Sequence, residues 1–153
     1  MSFMKQALIS ARRAYKHDDV PIGAVIVRGG KVIARGENMV QKKKNPTLHA
    51  EIVAINRACK KLGTKFLDDC DIYVSLEPCA MCATAISFAR IQNVFFAATD
   101  EKGGGILSNA RVYDTDKHLW LPAVRQLPEF ADESAELLRD FFQKFRKNKE
   151  VKQ

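Results

Sequence analysis

The chain has 153 residues, 46% of them hydrophobic, enough to bury a core without disulfide staples, so a single domain over 1–153 is expected. The opening run Met1-Ser2-Phe3-Met4-Lys5-Gln6 lacks the apolar stretch of a signal peptide, no segment approaches the roughly 20 apolar residues of a membrane span, and the four cysteines suit a reducing compartment, so a cytoplasmic protein with no membrane partner is expected. Net charge is +7, and residues 139–153 supply four of those charges, with six Lys and Arg against Asp140 and Glu150.

In chain order, residues 7–15 read as a helix with Ala7, Leu8, Ala11, Ala14 and Tyr15 on one side. Residues 22–27 and 32–34 are β-rich runs joined at Gly29-Gly30, a tight hairpin turn. Lys42-Lys43-Lys44 is a second basic run; such runs are ordinarily solvated surface, and beside a pocket they favour a polyanionic substrate. Thr47 is the expected N-cap of a helix from residue 48, whose apolar run Ile52, Ile55, Cys59, Leu62 keeps helical spacing up to Gly63. A strand over 72–76, a helix over 79–89 opened by Pro78, and a strand over 94–98 predict a parallel pair with a right-handed crossover. Gly103-Gly104-Gly105 lacks the Lys-Ser/Thr that a phosphate loop requires and reads as a flexible turn. Residues 123–127 are the expected last strand, and 131–145 a closing amphipathic helix with Ala135, Leu138, Phe141, Phe142 and Phe145 on its apolar face. The sum is an α/β fold, a three-layer α/β/α sandwich with a mixed sheet of about five strands, antiparallel at the first hairpin and parallel later.

Two short motifs carry the chemistry. His49-Ala50-Glu51 and Pro78-Cys79-Ala80-Met81-Cys82 supply three soft metal ligands, His49, Cys79 and Cys82, and one free carboxylate, Glu51. A structural zinc site closes its tetrahedron with four protein ligands, whereas a catalytic one uses three and keeps the fourth position for water. This inventory therefore points to one catalytic Zn2+ per subunit. Residues three apart return to nearly the same helix face, so Cys79 and Cys82 can reach one ion, and a helix N-terminus favours the thiolate that binds it. Inside a helix His49 and Glu51 would diverge by about 200°, so they are expected at a first turn, where both can face the ion. A thioredoxin-like disulfide leaves His49 and Glu51 unexplained, and the spacings of Cys59 and Cys70 match no common four-cysteine site. Those two are read as buried thiols acting as small hydrophobes, and His17 and His118 as surface residues.

His-x-Glu with Pro-Cys-x-x-Cys, in this order and spacing, resembles the zinc-dependent nucleobase and nucleoside deaminases of the cytidine/deoxycytidylate deaminase superfamily. Val20-Pro21-Ile22-Gly23-Ala24-Val25, Asn38, Pro46-Thr47-Leu48-His49-Ala50-Glu51 and Ser75-Leu76-Glu77-Pro78-Cys79-Ala80-Met81-Cys82 resemble, more narrowly, the bacterial tRNA-specific adenosine deaminases. Phe96-Ala97-Ala98-Thr99-Asp100 and Leu137-Leu138-Arg139-Asp140-Phe141-Phe142 extend that likeness toward the C-terminus. Two departures stand out: Asn45 occupies a place where the family often has Asp, and residues 104–121 differ in sequence and length.

The resemblance implies a cytidine deaminase-like fold, hydrolytic conversion of adenosine to inosine at the first anticodon position of a tRNA, zinc on His49, Cys79 and Cys82, and Glu51 as proton shuttle. It also implies that Asn38 hydrogen-bonds the purine, that Val20, Ile22 and Ala50 belong to the base site, that Asp100 lies beside the flipped nucleotide, and that the chain forms a homodimer. Lys102, Lys144, Arg146 and Lys147 are the expected contacts to the anticodon loop. A free guanine, cytosine or nucleoside deaminase shares the zinc motif and is the alternative; a small-molecule enzyme needs no basic face, which favours tRNA. A non-catalytic tRNA-binding subunit would lack the glutamate, and Glu51 is present.

Overall fold

The structure, a computed structural model, describes residues 1–114 and 119–151. Strands β1 (Gly23–Arg28) and β2 (Lys31–Glu37) turn about Gly29 and Gly30, whose φ of 56° and 75° lie in the left-handed region that side chains disfavour. With β3 (Cys70–Leu76), β4 (Asn93–Ala98) and β5 (Ala123–Gln126) they form one five-stranded sheet in the order β2-β1-β3-β4-β5. β1 pairs antiparallel with β2 and β3, while β3, β4 and β5 run parallel. This is the mixed sheet expected from the sequence.

Successive residues of a strand face opposite sides of a sheet. Ala24, Ile26, Ile72, Val74 and Phe96 pack under α3 (Ala50–Leu62) and α4 (Ala80–Phe88), against Ala54, Ala58, Ala83 and Ile86. Val25, Val27 and Ala97 pack under α1 (Phe3–Lys16), against Met4, Ala7 and Leu8. Each fully buried Ile, Val, Leu or Phe of these layers contributes about 1.5–3 kcal/mol of transfer free energy. A further helix, Ala131–Val151, lies beside α1: the Ser134 hydroxyl donates to the Ser75 carbonyl, the Tyr15 hydroxyl donates to Asp140 at 2.7 Å, and Arg12 pairs with Glu133. Helix, sheet and helix make the three layers. Gly36 sets the depth of α3, because a Cβ there would stand 2.1 Å from the Ala50 carbonyl oxygen and 2.6 Å from the Ala54 nitrogen.

Several local expectations need correction. The first helix starts at Phe3, capped by the Ser2 hydroxyl, which accepts the Lys5 N–H at 3.2 Å. Thr47 is not the cap of α3: its hydroxyl and N–H both turn back to Asn45 Oδ1, at 2.8 and 2.9 Å, and the helix begins at Ala50 with His49 as N-cap. Likewise α4 begins at Ala80, with Cys79 as N-cap and Pro78 outside the helix. A short helix, α2 (Val40–Lys43), was not expected, and the closing helix, here α5, continues past residue 145. Phe96 is core, whereas Phe88 and Trp120 are exposed. Phe95 is half-buried and stacks on Tyr73. His17 is no free surface residue, since its ring bridges Asp19 at 3.1 Å and Glu37 at 3.3 Å; His118 lies outside the described residues. Cys70 is fully buried as expected, and Cys59 only half so.

Candidate active site

His49 and Cys79 are the N-cap residues of α3 and α4, both in extended backbone, so their side chains project from the open first turns. Cys82 follows one turn into α4, on the face that Cys79 approaches. His49 Nδ1 lies 3.5 Å from Cys79 Sγ and 3.6 Å from Cys82 Sγ. The three ligand atoms fall within 4.8 Å of one another, and among the described residues this is the one cluster of His, Cys and carboxylate groups so placed. It is a group positioned to hold a metal ion.

Electrostatics separate the two thiols. Hydrogen bonds from the Cys82 thiol and from His49, with the Cys82 backbone N–H, bring the Cys79 thiol down to about 4, against the opposing effect of burial. Cys82, which donates to Cys79 and is deeply buried, is pushed up, and the bond to Cys79 raises His49. The trio thus already carries thiolate character at a helix N-terminus.

Glu51 occupies the first turn of α3 and is 3% exposed. Burial pushes its carboxyl up to about 7, against the pull of its own backbone N–H and of the Cys82 thiol. A carboxyl held near neutrality beside a metal-ligand trio suits a group that accepts and returns a proton. Ala50, fully buried, fixes the turn between His49 and Glu51.

Asn38 follows β2, is buried, and is tied at both ends. Its N–H donates to the Ile22 carbonyl at 3.1 Å, and its Oδ1 accepts the Val40 N–H at 3.2 Å. The segment after it is held by Asp19, a fully buried carboxylate that accepts the N–H groups of Gln41 at 2.6 Å and Lys42 at 3.1 Å and faces His17. Met39 N–H reaches the Leu48 carbonyl at 2.9 Å, which links Asn38 to the residue before His49. Asp19 was missed in the sequence, where an acidic residue in a polar run reads as surface.

Val20, Ile22 and Asp100, expected together, line one cavity of about 370 Å³. Its other wall is α5, through Leu138, Arg139 and Phe142, which sequence reasoning had placed only in a covering helix. Asn38, Ala50 and the ligand trio do not line it. Lys102 is exposed and outside it, its carbonyl accepting from the Asn109 side chain. Arg146 borders a neighbouring hollow with Arg139, Lys144 turns away to place Nζ 5.2 Å over the Tyr15 ring, and Lys147 is exposed. Of the four, Arg146 borders the hollow next to the cavity, and Lys102, Lys144 and Lys147 line neither.

The glycine run is not the free turn expected. Glu77 accepts hydrogen bonds from the chain just beyond it, and Gly105 lies against the backbone of Cys79 and Ala80. Burial opposes the Glu77 charge, but the Ser108 hydroxyl and the N–H groups of Leu107, Asp100 and Ser108 hold its carboxyl below the usual range.

Among the described residues no helix is long and apolar enough to cross a membrane. The family model of MafB19-like deaminases matches residues 1–146. A tRNA-specific adenosine deaminase of Agrobacterium fabrum is 48% identical over 145 residues, covering 94% of each chain. A structure solved in a study of A-to-I editing by tRNA:A34 deaminases at the wobble position of transfer RNA gives a TM-score of 0.85 at 46% identity, covering 89% of this chain and 98% of that one. A guanine deaminase from Bacillus subtilis gives a TM-score of 0.63 at 36% identity, covering 95% and 92%.

Proposed function

The chain belongs to the tRNA-specific adenosine deaminase family, and we propose that it converts adenosine to inosine at the first anticodon position of a tRNA, with release of ammonia. The observation that carries this reading is the buried Glu51 in the helix turn that His49 caps, facing two thiols at ligand spacing. We propose Zn2+ as the metal. Bond lengths of about 2.0–2.1 Å to nitrogen and 2.3 Å to sulfur at tetrahedral angles set N and S about 3.5–3.6 Å apart, which the His49–cysteine separations match. Bound there, zinc would act as a Lewis acid that lowers the pKa of water toward roughly 7.

Glu51 accepts the proton of the attacking water and passes it to a ring nitrogen as C6 gains its oxygen; a second transfer to the exocyclic amine lets ammonia leave. One carboxyl poised near neutrality serves both steps. Asn38, its Oδ1 occupied by the Val40 N–H, keeps its Nδ2 donors for the purine. Val20, Ile22 and Asp100 receive the nucleotide beside the reacting base, and Ala50 leaves room at the turn. The adenine must leave its stack, which an anticodon loop allows at a cost of only about a few kcal/mol. Lys102, Lys144, Arg146 and Lys147 meet flanking phosphates. We also propose a cytoplasmic location, where such a substrate is met, and a single deaminase domain over residues 1–153. A homodimer is part of the proposal: Phe88, Trp120 and Leu121 are exposed, and Ser87 bonds the Trp120 carbonyl, which draws them to one side of α4.

The test is product analysis. Zinc-loaded protein and its Glu51→Ala variant are incubated with an anticodon stem-loop carrying adenosine at the first anticodon position, and separately with free guanine, cytosine and adenosine. Glutamate-dependent inosine in the stem-loop alone is the expected result. Turnover of guanine with an inert stem-loop would transfer the site to the guanine deaminase reading that the 36% likeness keeps open.

A further inference from the structure

Glu77 is a buried carboxylate, 2% exposed, that the proposed chemistry does not use, two residues ahead of Cys79. Each hydrogen bond it accepts comes from chain 23 to 31 residues further on. Oε2 takes the N–H groups of Ile106 at 3.1 Å, Leu107 at 2.8 Å and Ser108 at 3.1 Å; Oε1 takes the Asp100 N–H at 3.2 Å and the Ser108 hydroxyl. Successive N–H groups turned toward one oxygen form an anion nest, filled here by the protein's own carboxylate.

The nested segment then crosses the start of α4. Gly105 N–H donates to the Pro78 carbonyl at 2.7 Å, and Val112 N–H returns to the Gly105 carbonyl at 2.8 Å. The Tyr113 hydroxyl donates to the carbonyl of Ala83, the residue after Cys82, at 2.7 Å. Contact is too close for side chains: a Cβ on Gly104 would stand 2.4 Å from Glu77 Oε2, and one on Gly105 2.4 Å from the Ala80 nitrogen.

We infer that Glu77 is a positioning residue for the metal centre: by nesting the strap 104–113 it clamps the backbone from Pro78 to Ala83 and holds Cys79 and Cys82 at ligand spacing. The inference rests on the metal reading proposed above. Its physical basis is that Cys79 stands half outside its helix: its carbonyl accepts the Ala83 N–H at 2.8 Å, but its own N–H and the Pro78 peptide before it are not part of the helical ladder, so the chain entering Cys79 takes its hold from the strap. Groups that orient metal ligands in this way are worth about 10- to 100-fold in affinity.

The experiment measures Zn2+ affinity of the full chain by competition with a chromophoric chelator, and the visible bands of the Co2+-substituted protein, for the parent, Glu77→Gln, Gly105→Ala, Ser108→Ala and His49→Ala. Circular dichroism and denaturant unfolding of the metal-free proteins run alongside. Glu77→Gln turns an amide toward N–H donors and is expected to weaken zinc binding roughly 10- to 100-fold and shift the Co2+ bands. Gly105→Ala, which keeps the carboxylate but lifts the strap, should do the same, and Ser108→Ala, which removes one of the five bonds, should do less. Parental affinity and Co2+ bands in folded variants overturn the inference, even if the metal-free forms are destabilised. Should Glu77→Gln not fold, Gly105→Ala and Ser108→Ala decide it. No zinc binding by the parent, or undiminished binding by His49→Ala, would overturn the metal reading and this inference with it.

Discussion

His49 and Cys79 each cap a helix, and across 30 residues of chain the cap positions bring Nδ1 to 3.5 Å from Sγ. Neither side chain caps its helix as a serine or aspartate would. Two positive helix ends are thereby left facing one point, an arrangement that suits thiolate and polarises whatever oxygen lies between them.

Metal removal should therefore unsettle both helix ends at once. At free zinc about 100 times the dissociation constant, binding stabilises the fold by about 2.7 kcal/mol. Thermal unfolding with and without a chelator should show that difference in the parent and none in His49→Ala. Equal zinc content in His49→Ala and parent would contradict the ligand assignment.

Glu51→Gln should keep zinc, since the carboxylate is not a ligand. The amide cannot take the water proton, so turnover should fall about 10²- to 10⁴-fold, the usual worth of one general acid/base. Metal analysis and inosine formation on the same preparation check both halves, and near-parental turnover would remove Glu51 from the mechanism.

The grouping of His49, Cys79 and Cys82, with Glu51 in the first turn after His49, was legible in the sequence because the spacing is short and local: two residues for His49 and Glu51, three for Cys79 and Cys82. Layers were legible too, since strand and helix periods leave their mark on apolar residues such as Ile72, Val74 and Ala54. Asp19 and Glu77 were not. Each is an acidic residue whose burial is satisfied mainly by backbone N–H groups some 22 to 31 residues away, with His17 added at Asp19 and the Ser108 hydroxyl at Glu77, and no local pattern marks those long-range bonds. The cap positions failed for a related reason. Thr47 is the better intrinsic cap, but Asn45 claims its hydroxyl, and the helix starts after His49.

Asp19→Ala tests the first of these hidden carboxylates. It leaves the Gln41 and Lys42 N–H groups and His17 without their partner; both backbone donors belong to exposed residues that water can reach, so each lost hydrogen bond costs its net worth, about 0.5–1.5 kcal/mol. Because the same segment carries Asn38, the substrate KM should rise more than kcat falls. Urea unfolding and steady-state kinetics measure the two effects, and a variant as stable as the parent would mean that α2 is held by other bonds.

Gly36→Ala adds one methyl where α3 touches β2. The Cβ would meet the Ala50 carbonyl and the Ala54 nitrogen, backbone atoms that cannot swing aside, so α3 must shift as a body. Overpacking of this kind costs about 1–3 kcal/mol. His49 and Glu51 ride on that helix, so the variant should lose activity beyond its loss of stability. Assays at a temperature where it is fully folded separate the two, and parental kcat there would show that the site tolerates movement of α3.

The basic end of α5 should act through phosphates. Replacing Lys144, Arg146 and Lys147 together by Gln removes three charges from a helix whose Arg139 already lines the cavity with Asp100. For single-stranded nucleic acid each lost phosphate contact flattens the slope of log affinity against log salt by about 0.7, so three contacts would change it by about 2. The geometry argues for less, since Lys144 is drawn over the Tyr15 ring, while Arg146 borders the hollow next to Arg139. Arg146→Gln alone should therefore alter the slope for a stem-loop more than Lys144→Gln, with zinc content unchanged in both. Equal slopes for parent and triple variant would make this end of α5 ordinary solvated surface and move the RNA contact to the Arg139 wall.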